Sequence, residues 1–480
     1  MKNNGPSNSI VGGLAWKFSE RIVSQGVAFL VSLVLARLLS PEDYGVIALV
    51  LVFINLAGVF ITSGFATALI QKKDADDTDF STIFYCSLLC SVLVYLVIFL
   101  IAPLVGAFYD DPLLTDVLRV FALQVPLGVF NSIQTAYVSR HMLFRKVFFS
   151  TLISAAVSGG VGIGMAYGGF GVWALVGQSI AMTLANTLVM LFIVPWRPRL
   201  LFSWESAKKM MKYSSRVLLA DLSGTFFGEV RSLVIGRAYT SADLAFYTKG
   251  QQLPNLITGN LSQSIMTVLF PAMANESDNH AEVKRLAKKS LGVLSFVLFP
   301  ALLGLAAVME PLVTLLYTEK WAACVPYAQL LCVGSAVGVV GIVPVQTLKA
   351  VGRSDVVLGL EVWKKPVYML LLVVGVSINV TAVAVTMVIY EVYGLTVNML
   401  QLKKHIDLSF GEQLKAILPA TVLAVVMAAV VWLLPPVFNV VVTVAVKVLV
   451  GMAVYLIAAA MLKLESLEYI LNLVKRFLKK

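Results

Sequence analysis

A lysine and five side-chain amides interrupt the stretch from Leu244 to Ala272: Lys249, Gln251, Gln252, Asn255, Asn260 and Gln263. At about 100° per residue, Lys249, Gln252, Asn255, Gly259 and Gln263 fall within one helical arc of about 120°. Lipid satisfies neither an ammonium nor an amide, so this face must meet other helices or a water-filled cavity. Single amides commonly tie one membrane helix to another. Five positions on one arc, with a lysine among them, instead fit the wall of a cavity offering hydrogen-bond donors, acceptors and a positive charge.

Other charges lie in similarly apolar surroundings. Glu20, Arg21, Ser24 and Gln25 open the first apolar segment; Asp221, Glu229 and Arg231 lie in a later one, and Glu391 stands between Tyr390 and Tyr393. A charge near a bilayer centre costs at least about 2.5–3.5 kcal/mol, so each needs a partner or a function. Sequence neighbours do not share a helix face, which makes Glu20–Arg21 and Glu229–Arg231 poor pairs within one helix; pairing across helices stays open. Lys364 and Lys365 read as snorkelling lysines at an interface, with Glu361 one turn earlier placed to pair with Lys365. Arg37 and Arg237 read as interfacial anchors.

The elements that must position these groups follow from composition. The 480 residues are 59% hydrophobic and 13% charged, with mean hydropathy +0.88. At about 20 residues per span, this is an all-α polytopic membrane protein with about fourteen transmembrane helices. They are expected near 17–36, 45–70, 82–108, 117–138, 147–167, 171–194, 213–236, 245–273, 287–316, 323–348, 356–376, 380–402, 413–434 and 438–462. Pro126 and Pro344 mark kinks, and Gly168-Gly169-Phe170-Gly171 a tight joint. Ser203 to Met211 reads as a capped amphipathic helix lying at the membrane, and Leu464 to Lys480 as a second one.

With the N-terminus inside, the outer loops hold only Arg37, Arg237 and Lys320 of the loop cations, while groups such as Arg197/Arg199/Lys208/Lys209 and Lys284/Arg285/Lys288/Lys289 lie inside. The net charge of +11 is thus a topology signal that puts both termini in the cytoplasm, not a nucleic-acid footprint. The first residues lack an apolar core with a small-residue cleavage site and read as a retained tail. Three separated histidines and four cysteines without ligand spacing lead us to expect no metal, no other cofactor and no catalytic residue.

An offset of 200 residues aligns Ser32-Leu33-Val34-Leu35-Ala36-Arg37 with Ser232-Leu233-Val234-Ile235-Gly236-Arg237, Ser40 with Thr240 and Asp43 with Asp243. The repeat predicts two six-helix bundles related by a pseudo-two-fold axis along the membrane normal, plus an appended helix pair. The domain expectation is 1–200 for the first bundle, 201–405 for the second with an amphipathic linker at its start, and 406–480 for helices 13 and 14 with the basic tail.

The segments SPEDYGVIALV, GFATALIQ followed by STIF, GGFGVWALV, PWRPRLLFSW, and LAFYTKGQQLPNLI with VLFPA resemble the polysaccharide-transporter family. Its members are Wzx-type oligosaccharide flippases of the multidrug/oligosaccharidyl-lipid/polysaccharide superfamily, and this chain looks most like the lipopolysaccharide, colanic-acid or teichuronic-acid exporter branch. The resemblance spans about residues 10 to 430. It implies a bacterial plasma-membrane protein, not an enzyme, that moves a polyprenyl-diphosphate-linked oligosaccharide from the inner to the outer leaflet by alternating access. On that reading Arg21, Arg231 and Lys249 attract the diphosphate. Gln25, Asn131, Gln134, Gln252, Asn255 and Gln263 face the glycan. Asp221, Glu229 and Glu391 bind a coupling H⁺ or Na⁺. Membrane lipids surround it, and a polysaccharide polymerase is a partner the resemblance leaves open. Two alternatives stand beside this reading. A cation-coupled multidrug antiporter of the same superfamily would favour acidic and aromatic cavity walls over this mixture of bases and amides. A membrane-embedded polymerase would carry a longer extramembrane loop, whereas the acidic outer cluster Asp110-Asp111-Pro112 reads as a helix start.

Overall fold

The computed structural model describes residues 6–62, 69 and 75–478, and every regular element among them is helical. The chain divides into two compact units, Met1–Ala245 and Phe246–Lys480. The first holds α1 (Pro6–Leu38), α2 (Pro41–Thr62), α3 (Asp77–Phe108), α4 (Pro112–Phe121), α5 (Gln124–Arg140), α6 (Phe144–Tyr167), α7 (Val172–Ile193) and α8 (Trp204–Ala238), and ends within α9 (Ser241–Ala274). After α9 the second holds α10 (His280–Ala307), α11 (Met309–Tyr317), a 3₁₀ turn (Glu319–Cys324), α12 (Val325–Val340) and α13 (Ile342–Ala350). It continues through α14 (Ser354–Val376), α15 (Val380–Ile406), α16 (Phe410–Leu433), α17 (Val440–Met461) and α18 (Glu465–Leu478).

By length and composition, 11 spans among the described residues can cross a membrane. The other three expected segments are also long helices, α8, α9 and α14, but they stand outside that group. Their charges and amides, the groups singled out from sequence, set them apart from purely apolar spans.

Proline and glycine break the elements where backbone chemistry requires. Pro126 lacks an amide hydrogen, and the expected span across it divides at Ala122–Leu123 into α4 and α5. Pro344 likewise follows the break at Gly341 that separates α12 from α13. The α6–α7 joint uses Gly169 and Gly171 at φ +77° and +54°, a region open to glycine without a Cβ clash. Asp111 caps α4 by accepting from Leu113 N at 3.0 Å, with Pro112 at the first helical position. One expectation is corrected. Ser203 does cap a helix, accepting from Ser206 N at 3.3 Å, but that helix runs unbroken to Ala238 as α8 and is no separate surface element. No helix breaker stands between Trp204 and Ala238 except Gly224, Gly228 and Gly236, which a helix tolerates.

The preceding segment, residues 194–203, is held to the start of α3. Arg199 pairs with Asp77 at 3.0 Å, Arg199 N donates to Ser81 Oγ at 3.1 Å, and Ser203 N donates to Thr82 Oγ1 at 3.0 Å. Ser206 Oγ donates to the buried Asp79 at 2.7 Å, and Trp196 packs among Phe80, Phe84 and Phe130. The PWRPRLLFSW and STIF segments, distant in sequence, form one contact.

The 200-residue repeat is realised atom for atom at its joints. Ser40 N donates to Asp43 Oδ2 at 3.0 Å while Asp43 N donates to Ser40 Oγ at 3.2 Å. Thr240 N and Asp243 Oδ2, at 3.2 Å, and Asp243 N and Thr240 Oγ1, at 3.1 Å, repeat the arrangement. Each is a reciprocal cap opening the second helix of a hairpin. The two joints touch: a Cβ built on Gly45 would lie 2.0 Å from Ser241 O, and one on Gly236 2.4 Å from Leu49. Arg237 lies 3.8 Å from Asp110 and 5.2 Å over Phe108, which fits an anchor at that joint.

Candidate functional site

A cavity of about 320 Å³ in the second unit brings together lysines, glutamates and side-chain amides from three helices. Gly338 and Gly341 come from the end of α12, Gln346 and Lys349 from α13, Glu361 and Lys364 from α14, and Tyr390, Glu391 and Asn398 from α15. The spacing places them there. On α14, positions 361, 364 and 368 share a face, and on α15 positions 391, 394 and 398 do so. Tyr368 and Tyr390 meet edge to face at 5.1 Å and lock α14 against α15. A Cβ on Gly338 would lie 2.6 Å from Glu391 Oε2, so a larger residue there would push the end of that carboxylate aside.

Lys364 is 6% exposed and donates to Glu361 Oε1. This corrects the sequence reading in two respects. Lys364 is a buried cation, not a snorkelling one, and Glu361 pairs with it at i+3, not with Lys365 at i+4. Asn398 is buried too, and its Oδ1 has no hydrogen-bond partner among the described residues. The cavity thus presents ammonium donors, two carboxylates and an open amide acceptor, a set able to hold a polar solute or move a cation between carboxylates.

Of the residues expected from sequence, Glu391 lines this cavity. Lys249 does not: it is 5% exposed, with Nζ 5.0 Å from the Tyr317 ring centroid and 5.6 Å from that of Trp321. An ammonium over aromatic faces is held by their quadrupoles. On the same helix Gln252 is half-buried and Asn255 exposed, while the side chains of Asn260 and Gln263 lie outside the described residues.

The first unit holds the remaining candidates. Glu229 on α8 accepts from Asn55 Nδ2 on α2 at 2.8 Å, and Arg231 is half-buried one turn-half away. Asp221, further down α8, is exposed. Asn131 Nδ2 donates to Thr183 O at 3.2 Å, and Gln134, one turn on, is 0% exposed with neither amide atom partnered among the described residues. Arg21 and Gln25 are half-buried on α1; it is their neighbour Ser24 that lines a cavity of about 260 Å³ with Gln178 and Ser179. The three expected diphosphate cations are accordingly spread over both units, Arg21 and Arg231 in the first and Lys249 in the second.

Sequence reasoning missed Glu361, Lys364, Gln346, Lys349 and Asn398 as cavity residues. A signal existed: Glu361, Lys364 and Tyr368 share one helical face. Nothing local, however, says whether that face meets water or protein.

Residues 34–326 match the model of a family described as polysaccharide biosynthesis protein. The succinoglycan biosynthesis transport protein ExoT of Rhizobium meliloti (strain 1021) is 22% identical over 73% of this chain and 71% of its own length. The lipopolysaccharide biosynthesis protein WzxC of Escherichia coli (strain K12) is 24% identical over 76% of this chain and 75% of its own. Among solved structures, the lipid II flippase MurJ in an inward closed conformation superposes with a TM-score of 0.75 at 15% identity, covering 94% of this chain and 98% of that one. At that identity the likeness establishes a shared fold alone.

Proposed function

This chain belongs to the polysaccharide biosynthesis protein family and carries multiple membrane-spanning helices, and on that premise we propose that it flips a polyprenyl-diphosphate-linked oligosaccharide across the bacterial inner membrane. The observation that carries the reading at the level of residues is the polar cavity of α12–α15. A helical membrane unit has no structural need for Lys349, Lys364, Glu361, Glu391, Gln346 and Asn398 around one space, since apolar packing stabilises at less cost. A solute rich in hydroxyls and phosphate oxygens matches such donors and acceptors.

In this reading both termini are cytoplasmic, and the outer face carries the two repeated joints. Arg21 and Arg231 remain the diphosphate candidates of the first unit, and Lys349 and Lys364 are those of the second, each unit taken by itself. Lys249 holds α9 to its aromatic partners and supports the site from a distance. Asn131 in the first unit, and Gln252 and Asn255 in the second, are the glycan candidates, while Gln134 is fully enclosed and reaches a glycan only if α5 repacks. Glu391 in the second unit, and separately Glu229 and Asp221 in the first, are the candidates for the coupling cation, a proton or Na⁺. The mixture of lysines and amides, and relatives named for polysaccharide biosynthesis, favour this substrate over a cationic drug.

The test is translocation in proteoliposomes, scored as protection of a lipid-linked oligosaccharide from an external glycosidase. Protein-dependent flipping that falls at least about tenfold, about 1.4 kcal/mol in barrier, in Glu391→Gln and Arg231→Ala supports both substrate and site. Unchanged flipping in both variants removes the site assignment. Absence of flipping with every glycan, together with gradient-driven uptake of cationic drugs, overturns the function.

A further inference from the structure

A second charged groove, about 680 Å³, lies where the starts of α10 and α16 meet α18. The three helices converge at Gly292, whose absent Cβ would sit 3.3 Å from Ser466 Oγ and 3.5 Å from Ala416 O. Arg285, Lys288, Lys289 and Lys415 line the groove. Neighbouring cations are already engaged. Lys284 pairs with Glu412 at 3.1 Å and donates to Asp407 O at 2.6 Å, and Arg285 forks onto Glu282 with Nε–Oε2 at 2.8 Å.

Lys288, Lys289 and Lys415 are different. No carboxylate among the described residues lies within ion-pair distance of any of them. Lys289 Nζ sits 3.5 Å from the centroid of the Tyr469 ring, which fixes its ammonium over the groove. Glu465 and Glu468 also line the groove, but both stand in the first turn of α18, where the helix dipole favours their charge without a lysine. Three exposed ammonium groups around one concavity form a field that draws an anion.

The lining indicates which anion. Beyond the lysines, Val293, Ala416, Pro419 and Leu464 form an apolar floor. α10 and α16 are both apolar enough to cross a membrane, and Leu418 beside this floor is 47% exposed. A ligand with a phosphate at one end and hydrocarbon at the other satisfies both parts, which a soluble phosphate does not. We propose that the groove between α10, α16 and α18 is a specific site for the phosphate headgroup of an anionic phospholipid, which it clamps against the C-terminal helix. This goes beyond attraction of an amphipathic tail to a charged surface, because it assigns the phosphate to three lysines, two of them on α10 and one on α16. It holds whatever solute the carrier moves.

The full chain in phosphatidylcholine nanodiscs doped with phosphatidylglycerol provides the test, with retained lipid counted by native mass spectrometry. Near-surface lysines act additively in such sites, so replacing one with glutamine weakens binding about fivefold, and Lys288→Gln, Lys289→Gln and Lys415→Gln together about a hundredfold. Lys475→Gln, on α18 but outside the groove, leaves retention unchanged. If the triple variant fails to fold, Lys415→Gln with Lys415→Arg as rescue reads the same contact. Equal retention by wild type and the lysine variants overturns the proposal. Displacement of the lipid by inorganic phosphate or glycerol phosphate at matching concentrations also overturns it, because the site would then recognise free phosphate and not a lipid.

Discussion

Glu361→Gln should destabilise the second unit more than Lys364→Met, although each removes one partner of the same pair. The side chain of Lys364 is 7% exposed and that of Glu361 49% exposed. Removing one member of a pair buried on both sides costs about 3–5 kcal/mol, chiefly because the other charge is left uncompensated out of water. Here the penalty depends on which charge stays behind. Glu361→Gln strands the buried ammonium; the glutamine amide oxygen recovers part of the hydrogen bond, and Glu391 lines the same cavity. The loss is then about 2 kcal/mol, near a thirtyfold change in the folded-to-unfolded ratio. Lys364→Met fills the same buried volume with an apolar chain and strands a carboxylate that water already reaches, for a loss of about 1 kcal/mol or less. The double variant should recover most of the Glu361→Gln loss. Denaturant unfolding in one detergent, followed by tryptophan fluorescence, measures all four proteins. If Lys364→Met is the more damaging single change, or if the two losses add without coupling, burial of the ammonium is not what holds this pair.

Three further outcomes follow from particular contacts. Gly45→Ala places a methyl 2.0 Å from Ser241 O and should cost about 3 kcal/mol or more by forcing the joints apart, whereas Gly26→Ala, with nothing within 4 Å, should gain about 0.5–1 kcal/mol in a helix; thermal unfolding separates them. A double-mutant cycle on Lys249→Met and Trp321→Leu should give a coupling of about 1–2 kcal/mol, as for a largely desolvated cation–π contact near the outer limit of its range, and a coupling near zero would show that the ammonium does not use that ring. Arg353 forks onto Asp355 at 2.9 and 3.0 Å, and that hydrogen bonding draws the carboxyl from its ordinary 3.8 to about 2. A lowered carboxylate pKa adds stability above pH 4 and loses it as the pH falls from 4 to 2; Asp355→Asn should flatten that acid limb of a stability–pH profile, and an unchanged limb would refute the contribution.

Much of this protein is decided by local pattern. Apolar runs of about 20 residues make helices in lipid because a backbone there has no other hydrogen-bond partner. Caps and breakers are equally local, so Asp111-Pro112, Ser203, Pro126 and the Gly168–Gly171 joint were legible from residue type. The repeat was legible as well, because Ser40/Asp43 and Thr240/Asp243 bond within a single turn. Burial is not local. Which of Lys364 and Lys365 enters a cavity depends on where α15 lies, and the meeting of Lys249 with Trp321 depends on a 3₁₀ turn far along the chain. Charge placed on a helix face sets what that face requires, but only the helices packed against it decide whether a carboxylate, an aromatic ring or water meets the requirement.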